Sequence, residues 1–437
     1  MNGKRRSMIR MLMLSMVILI SNSIYAQKET FTGRVIDGKT HESLPMASIY
    51  NFNGNGTLSN RDGNFAVEAN PSDILRFSYI GYQTLNIKAA NANGTIALQP
   101  IDIELSEVVV KPRKFNVYSL LHKISNQFIE EQHQYFWHNS NYFYRQLTTN
   151  DQINNEVVEA FFSAGCCGNA HNFKLLTGRY GKLEDINVLH PFYTFPNFFL
   201  SSQIGPHVYE TTYWKDLITP LVDKPSRRYY NTNYQIDLDW QGTKETGEIL
   251  IFNFSSKEGY EEHNRLEGAP SFSSLMTILG GASSNGNSSY AKPIVVGKLY
   301  VDAKTLKVQG FVGQVENVLV KVRSRSGKAS LEHRDFSFTI VFTQKNGFTE
   351  VHSLTANMKA KHEDRNVSYW SMLFNVGELE SLPTVELSDQ ANLRRSIDAV
   401  GYDSLFWKKH EIVKRTAEED AIVMKLEQEG RFDRFGE

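Results

Sequence analysis

The two cysteines of the chain, Cys166 and Cys167, are adjacent, and glycines flank them at positions 165 and 168. In an oxidising compartment two thiols tend to form a disulfide. Neighbouring Cα atoms lie ~3.8 Å apart, which is closer than the ~4.4–6.8 Å of most disulfides. Three interpretations therefore stay open: a strained vicinal disulfide, two unpaired thiols, or a bond to a metal ion or a second molecule.

Aromatic residues are concentrated between positions 190 and 200, in a run that also contains two prolines. The aromatic side chains of this run are Phe192, Tyr193, Phe195, Phe198 and Phe199. One interpretation is that they fill the core of a large sheet. The alternative is an apolar groove for a lipid, a peptide or a segment of a partner protein. We take these five residues as the candidate binding site.

The other residue types that carry out chemistry form no catalytic pattern. Three clusters of histidine and acidic residues, at 261–263, 332–335 and 362–364, lack the two-histidine helical spacing of zinc proteases. Residues 281–285, Gly-Ala-Ser-Ser-Asn, lack the final glycine of a Gly-x-Ser-x-Gly nucleophile turn. We predict no catalytic residue, metal site or cofactor. A hydrolase whose catalytic residues are dispersed in the sequence is the alternative.

The first 26 residues have the three parts of a secretory signal peptide. Lys4–Arg6 are basic, Met11–Ile20 are apolar, and Ser23–Ala26 supply a small-residue cleavage site. The apolar part is shorter than the ~20 residues of a membrane-spanning helix, and an uncleaved signal anchor is the alternative. No later stretch stays apolar over ~18 residues. We expect an exported protein without a transmembrane helix, in the periplasm or associated with the outer membrane.

The charge balance gives no indication of a nucleic-acid partner. The chain carries 47 basic and 48 acidic residues, and four of the basic residues lie in the predicted signal peptide. Without that segment the excess is about five negative charges, which creates no field that attracts polyanions. The 437 residues and the hydrophobic content of 41% predict two or three domains with true cores.

Short apolar segments separated by turn residues every ~8–12 positions fill residues 27–110. Turn residues occur, for example, at Asp62-Gly63, Ile80-Gly81 and Asn93-Gly94. The spacing predicts seven or eight short strands, which is the size of one β-sandwich.

Four motifs of this segment resemble, in the same order, the carboxypeptidase-regulatory-like domain. That domain is a transthyretin-like sandwich that also occurs at the N-terminus of bacterial TonB-dependent receptors. The motifs are Gly33–Asp37, Leu44–Ile49, Gly56–Phe65 and Phe77–Tyr82, and Leu105–Val110 is similar to the segment that closes the domain in those receptors. The resemblance implies attachment or spacing in the cell envelope rather than peptidase chemistry.

The resemblance to the receptors ends at Val110, because the residues that follow are too few for a barrel of about 22 strands. A polar linker at 111–114 precedes a second domain at 115–437. Apolar residues at helical spacing predict a helix over Val117–Gln132.

Long antiparallel hairpins are predicted for the middle of the second domain. Apolar residues alternate up to Asn346-Gly347, a strong hairpin turn, and Gly297–Asp302 with its return strand resembles the repeating hairpin of periplasmic lipoprotein-carrier folds. Near the C-terminus, Thr416 and Glu419 are spaced as a capping box. The predicted fold is an all-β sandwich followed by an α+β domain with a large curved antiparallel sheet or half-barrel and flanking helices.

These features together predict a non-catalytic binding or structural protein of the cell envelope. The inner side of the curved sheet is the expected site, and a lipid, a peptide or an envelope protein is the expected partner. The competing hypothesis is an envelope hydrolase, which would bring a nucleophile, a base and an orienting acid into one cleft.

Overall fold

The computed structural model describes residues 28–51, 56–101, 116–135, 138–150, 153–165, 171–183, 234–241, 249–257, 294–323, 329–362, 365–377, 379, 382–386 and 393–432. The predicted signal peptide, the linker at 111–114 and the strand-like segment 105–110 lie outside these residues. The described part is mostly β-strand, as the sequence predicts.

The first seven strands form two small sheets that pack face to face. They are β1 (Glu29–Asp37), β2 (Ser48–Asn51), β3 (Gly56–Leu58), β4 (Asn64–Ala69), β5 (Ile74–Ser78), β6 (Leu85–Lys88) and β7 (Gly94–Leu98). One sheet has the order β4-β1-β7 and the other β3-β2-β5-β6, and only the β1–β7 pair is parallel. A shared core that includes Val35, Ile49 and Phe77 confirms the predicted sandwich.

Two glycines make the turns that the sequence predicts in this sandwich. Gly63 has φ +81°, and the side-chain oxygen of Asn60 accepts hydrogen bonds from the backbone N–H groups on either side of it. Gly81 has φ +82° between Tyr79 and Tyr82, whose rings meet edge to face with centroids 5.3 Å apart. A residue with a Cβ atom adopts such φ values only under strain, so both positions favour glycine.

Eleven strands of the described residues form one antiparallel sheet. They are β8 (Asn139–Asn150), β9 (Ile153–Gly165), β10 (His171–Lys182), β11 (Tyr234–Gln241), β12 (Ile249–Ser256), β13 (Ile294–Asp302), β14 (Val308–Arg323), β15 (Ala329–Lys345), β16 (Phe348–His362), β17 (Arg365–Gly377) and β18 (Val385–Glu386). Their order is β11-β12-β13-β14-β15-β16-β17-β8-β9-β10-β18, and the sheet is not closed into a barrel. The Asn346-Gly347 turn joins β15 to β16 as predicted.

The long helix α1 (Val117–Tyr135) lies on one face of this sheet, which we call the inner face. Asn116 accepts a hydrogen bond from the backbone N–H of Ser119 and so caps its first turn. Leu121, Ile124 and Phe128 recur at helical spacing and are buried in the same cluster as side chains from strands across the sheet. The helix ends three residues beyond the predicted Gln132, and its buried stripe is the one the sequence indicates.

The opposite face, which we call the outer face, is covered by the sandwich and by C-terminal helices. The described helices near the C-terminus are α2 (Leu393–Val400), α3 (Ser404–Lys409) and α4 (Ala417–Gln428). Helix α2 instead packs on the inner face at β10, through Leu393 and Ile397. Helix α4 begins with the predicted capping box, in which the Thr416 side chain accepts from the Glu419 N–H and the Glu419 carboxylate accepts from the Thr416 N–H.

The sandwich docks on the outer face through several specific contacts. Ser48 Oγ lies 2.7 Å from Nε2 of His352 on β16, and Thr57 Oγ1 donates to the carbonyl of Ile412 at 2.7 Å. Leu58 joins the apolar cluster of β8, β9 and β17. The guanidinium of Arg61 lies 5.3 Å from the ring of Trp370. These contacts bury the β2–β3 edge of the sandwich against the large sheet.

A network of buried charges lies between the outer face and α4. Glu159 on β9 is 1% exposed, and it accepts from Nε of Arg145 at 2.6 Å and from Nε of Arg179 at 2.8 Å. Arg145 reaches Glu419 of α4 at 3.5 Å, and Arg61 of the sandwich reaches the same carboxylate at 3.1 Å. One network therefore connects the sheet, the C-terminal helix and the sandwich.

Burial alone would raise the pKa of the Glu159 carboxyl, but the guanidinium groups of Arg179 and Arg145 outweigh this effect and hold the pKa well below its usual range. The carboxylate is therefore ionised at all ordinary pH values. Because both oxygens are paired, its burial is compensated.

Replacing Glu159 by glutamine should lower the free energy of unfolding by about 3–5 kcal/mol, because two buried guanidinium groups would each lose the nearer of their two counter-charges. Urea denaturation followed by circular dichroism measures the change. The matched control is Glu418→Gln, since Glu418 is exposed and lies 3.7 Å from Arg61. That exposed pair should contribute less than ~1 kcal/mol. Equal effects of the two variants would contradict this account of the network.

The docking histidine should make stability depend on pH. Burial lowers the pKa of His352 to about 4, below the ordinary value of 6.5. The unfolded chain therefore takes up a proton first as the pH falls, and the folded state loses up to roughly 3 kcal/mol between pH 6.5 and 4. We expect His352→Gln to reduce the difference between urea midpoints at pH 7 and pH 4.5. His122→Gln, at an exposed position of α1, is the control and should leave that difference unchanged.

Candidate functional site

The inner face of the large sheet is an almost continuous apolar surface. Each strand presents alternate residues to it, as the period of two in a β-strand requires. Its buried side chains on β12 to β17 are Leu250, Phe252, Phe254, Leu299, Val301, Val308, Phe311, Phe338, Ile340, Phe342, Val351, Leu354, Ala356, Met358, Val367, Tyr369 and Leu373. This face is the candidate site.

An aromatic patch forms the middle of this face. The rings of Phe311 and Phe338 are parallel, with an interplanar angle of 5° and centroids 5.9 Å apart, and Phe254 lies 6.5 Å from Phe311. Gly297 and Gly313 are paired with each other across β13 and β14, beside Phe338. A Cβ atom on Gly313 would lie 2.8 and 2.9 Å from two carbons of the Phe338 ring, so glycine leaves the space that the ring fills.

Helix α1 is fixed at the end of the sheet where the β13–β14 and β15–β16 turns lie. Glu131 forms an ion pair with Lys307, and its other carboxylate oxygen accepts from the N–H of Thr349 at 3.1 Å. Phe128 meets Phe342 edge to face at 5.8 Å. The C-terminal part of the helix therefore lies over the turn end of the inner face.

A strip of polar side chains crosses the inner face along β8. Tyr144, Gln146 and Thr148 are two residues apart, and their side chains are all at least nine-tenths buried. The Tyr144 hydroxyl donates to Oε1 of Gln146 at 2.8 Å, and Nε2 of Gln146 donates to Oγ1 of Thr148 at 3.3 Å. Burial, and then the charge of Glu156, raises the pKa of Tyr144 well above its ordinary value. We call these three residues the polar strip.

The outer face has a shallow groove with a volume of about 290 Å³ over β13 to β16. Its lining includes the polar residues Lys298, Ser337, Thr355 and Asn357, together with Val296, which is 46% exposed. These side chains alternate with the apolar residues of the inner face. The groove is open to solvent and mixed in polarity, whereas the inner face is buried and mostly apolar.

The residues that the sequence analysis selected as sites lie outside the described residues. This applies to Cys166 and Cys167 and to the aromatic run Phe192, Tyr193, Phe195, Phe198 and Phe199. Their predicted roles stay predictions. Among the described residues no three His, Cys, Asp or Glu side chains are grouped so that they could hold a metal ion. No helix within the described ranges is long and apolar enough to cross a membrane.

Comparisons with known proteins concern the sandwich. Residues 31–110 are a CarboxypepD_reg-like domain. Over 100 residues the chain is 33% identical to the TonB-dependent receptor SusC of Bacteroides thetaiotaomicron. The aligned segment covers 23% of this chain. The chain spans 10% of the length of that receptor. The match confirms the resemblance that the four motifs of the CarboxypepD_reg-like domain indicate.

Sequence reasoning missed the polar strip and the buried charge network. Tyr144, Gln146 and Thr148 occupy every second position of β8, as the residues of a solvent-exposed strand face do. Nothing in the neighbouring sequence indicates that they are buried. A weak signal was available in Arg145, which interrupts the opposite, apolar set between Phe143 and Leu147. A charged residue among core residues is a sign of a buried partner.

Gly313→Ala should lower the free energy of unfolding by about 1–3 kcal/mol, because the new methyl group overpacks against the Phe338 ring. Urea denaturation measures the effect. Thr355→Ala is the control, since Thr355 faces the outer groove and its truncation should stay within ~0.5 kcal/mol. If Gly313→Ala is as stable as the control variant, the aromatic patch is not packed as described.

Proposed function

We propose that this is an exported cell-envelope protein that binds the acyl chains of a lipid or of a lipid-modified protein on the inner face of its large sheet. The observation that carries the proposal is the almost continuous apolar surface from β12 to β17, with the Phe311–Phe338 stack at its middle. Surfaces of this kind, shaped by a sheet that wraps round a helix, suit elongated apolar ligands.

The distribution of polar groups supports binding rather than catalysis. Acyl chains gain ~0.8 kcal/mol for each methylene group removed from water, so a long apolar face supplies affinity without specific bonds. The buried charged residues Arg145, Glu159 and Arg179 lie on the outer face and pair with each other. In this proposal the aromatic run at 192–199 adds to the lining of the site.

The proposed organisation follows the predicted division of the chain. A signal peptide at 1–26 directs export, the CarboxypepD_reg-like domain lies within 27–110, and the lipid-binding domain occupies 115–437. The periplasm or the outer membrane is the proposed location, and the relation of the first domain to a TonB-dependent receptor supports an envelope context. The first domain then acts as a fixed spacer docked on the outer face.

The test is to purify the full chain from the envelope fraction and to identify bound lipids by mass spectrometry. Ala356→Phe should reduce the retained lipid about tenfold, which corresponds to ~1.4 kcal/mol of binding free energy, because the new ring occupies the inner face beside Phe338. Thr355→Phe is the control, since the neighbouring residue points to the outer groove.

Wild-type protein without lipid, or equal loss of lipid in both variants, would overturn the proposal. Circular dichroism of each variant establishes that it is folded before its lipid content is compared. A co-purifying protein instead of a lipid would point to a scaffold role.

A further inference from the structure

We propose that the open edge of β11 binds an extended segment of a second protein by strand addition, and that this segment alternates apolar residues with lysine or arginine. The inference concerns a protein partner and does not depend on lipid binding. Strand β11 (Tyr234–Gln241) is the first strand of the eleven-stranded sheet, and its neighbour is β12. No other strand of the described residues pairs with it. We call the side of residues 235–239 that faces away from β12 the open edge.

The backbone of β11 is suited to strand addition. An antiparallel edge strand directs every second set of N–H and C=O groups away from its neighbour. All eight residues of β11 pair with β12 without a register shift, so the strand is regular and ~27 Å long. It contains neither the proline or lysine nor the bulge that often blocks an edge. The strand at the other end of the sheet, β18 (Val385–Glu386), has two residues and offers a much shorter edge.

The apolar inner face ends at β11 with two side chains that are only partly covered. Ile236 is paired with Phe254, which is 3% exposed. Leu238 is paired with Phe252, which is 0% exposed. Ile236 and Leu238 themselves are only partly buried, because no described strand follows them. Burial of apolar surface is favourable, so we expect apolar residues at alternate positions of the bound segment.

Two aspartates determine the other positions of the segment. Asp237 and Asp239 are exposed on the outer face of β11. The Asp237 carboxylate accepts a hydrogen bond from Gln235 at 3.0 Å, and that of Asp239 accepts one from Asn253 at 2.7 Å. Neither forms an ion pair with a described cation, and Lys298, in the same row as Asp237, is two strands away. Opposite charges on adjacent strands stabilise a strand pair, so we expect lysine or arginine opposite the aspartates.

The same aspartates disfavour a second copy of this chain as the occupant. Two β11 strands related by a two-fold axis perpendicular to the sheet would bring the aspartates of one copy opposite those of the other. Like charges directly opposite each other destabilise a strand pair. Charged side chains on an edge strand are a common protection against self-association. The open edge therefore favours a basic segment over its own sequence.

The experiment measures binding of fluorescent peptides, each as long as β11, to the full chain by fluorescence anisotropy. One peptide alternates valine with lysine, and the second alternates valine with glutamate. The third is the lysine peptide with alternate backbone nitrogens methylated, which removes hydrogen-bond donors. We expect the lysine peptide to bind about tenfold more tightly than either of the others. Hydrogen exchange followed by mass spectrometry should show protection of residues 235–239 when the lysine peptide is bound.

Charge reversal tests the two aspartates. Asp237→Lys combined with Asp239→Lys should reverse the preference, so that the glutamate peptide binds about tenfold more tightly than the lysine peptide. The matched control is Glu29→Lys combined with Glu68→Lys, because both glutamates are exposed on the sandwich and the change in net charge is the same. The control should keep the wild-type preference. Circular dichroism establishes that both variants are folded.

Four results would overturn the inference. They are absence of binding by all three peptides, equal binding of the lysine peptide and its methylated form, equal changes of preference in the two double variants, and binding without protection of residues 235–239. A wild-type dimer in sedimentation, with these residues protected, would identify a second copy as the occupant and would also overturn it. The lipid content of the Ala356→Phe variant is a separate measurement, so either proposal can fail while the other stands.

Discussion

The buried ion network of Arg145, Glu159 and Arg179 is the constraint on which the arrangement of the molecule depends. Charges on the outer face of a sheet are stable out of water only when their partners are also present. The helix α4 brings Glu419 and Glu427 to these arginines, and Glu419 also binds Arg61 of the sandwich. The C-terminal helix and the first domain are therefore held against the same strands by the same charges.

This constraint explains why the two faces of one sheet have different roles. The outer face of β8, β9 and β10 combines charges with the apolar contacts of Trp407 and Phe432, which lie 4.7 and 4.8 Å from the Arg179 guanidinium. It is occupied by parts of the chain itself. The inner face is mostly apolar, with Glu156 of β9 among its few charged residues, and α1 and α2 pack on it. Period-two alternation produces both surfaces from the same strands, so one set of strands supplies an apolar face and a face that joins the domains.

Sequence reasoning was strongest where structure is local. The turn glycines Gly63 and Gly81, the Asn346-Gly347 hairpin and the Thr416–Glu419 capping box depend on residues within a few positions, and all four are as predicted. Contacts between distant segments, such as that of Ser48 with His352, could not be predicted, because the pattern of a single sequence does not show which strands lie side by side. The sequence predicts a large antiparallel sheet with one apolar face, and the structure has one; the use of that face as a binding site stays a prediction. The polar strip could not be predicted from the sequence, because polar residues at every second position of a strand look the same whether that face is buried or exposed to solvent.

The pairing of β8 with β17 has a consequence for how the chain acquires its structure. These neighbours at the centre of the sheet are more than 200 positions apart, since Arg145 is paired with Met372. Strands β8 to β10 are synthesised long before their partner and present an unpaired edge until it arrives, a recognised hazard for association between chains. A topology dominated by such distant contacts folds slowly. During folding, β17 therefore competes with strands of other chains for the open edge of β8. A chaperone that covers this edge until β17 is made would raise the yield of folded protein.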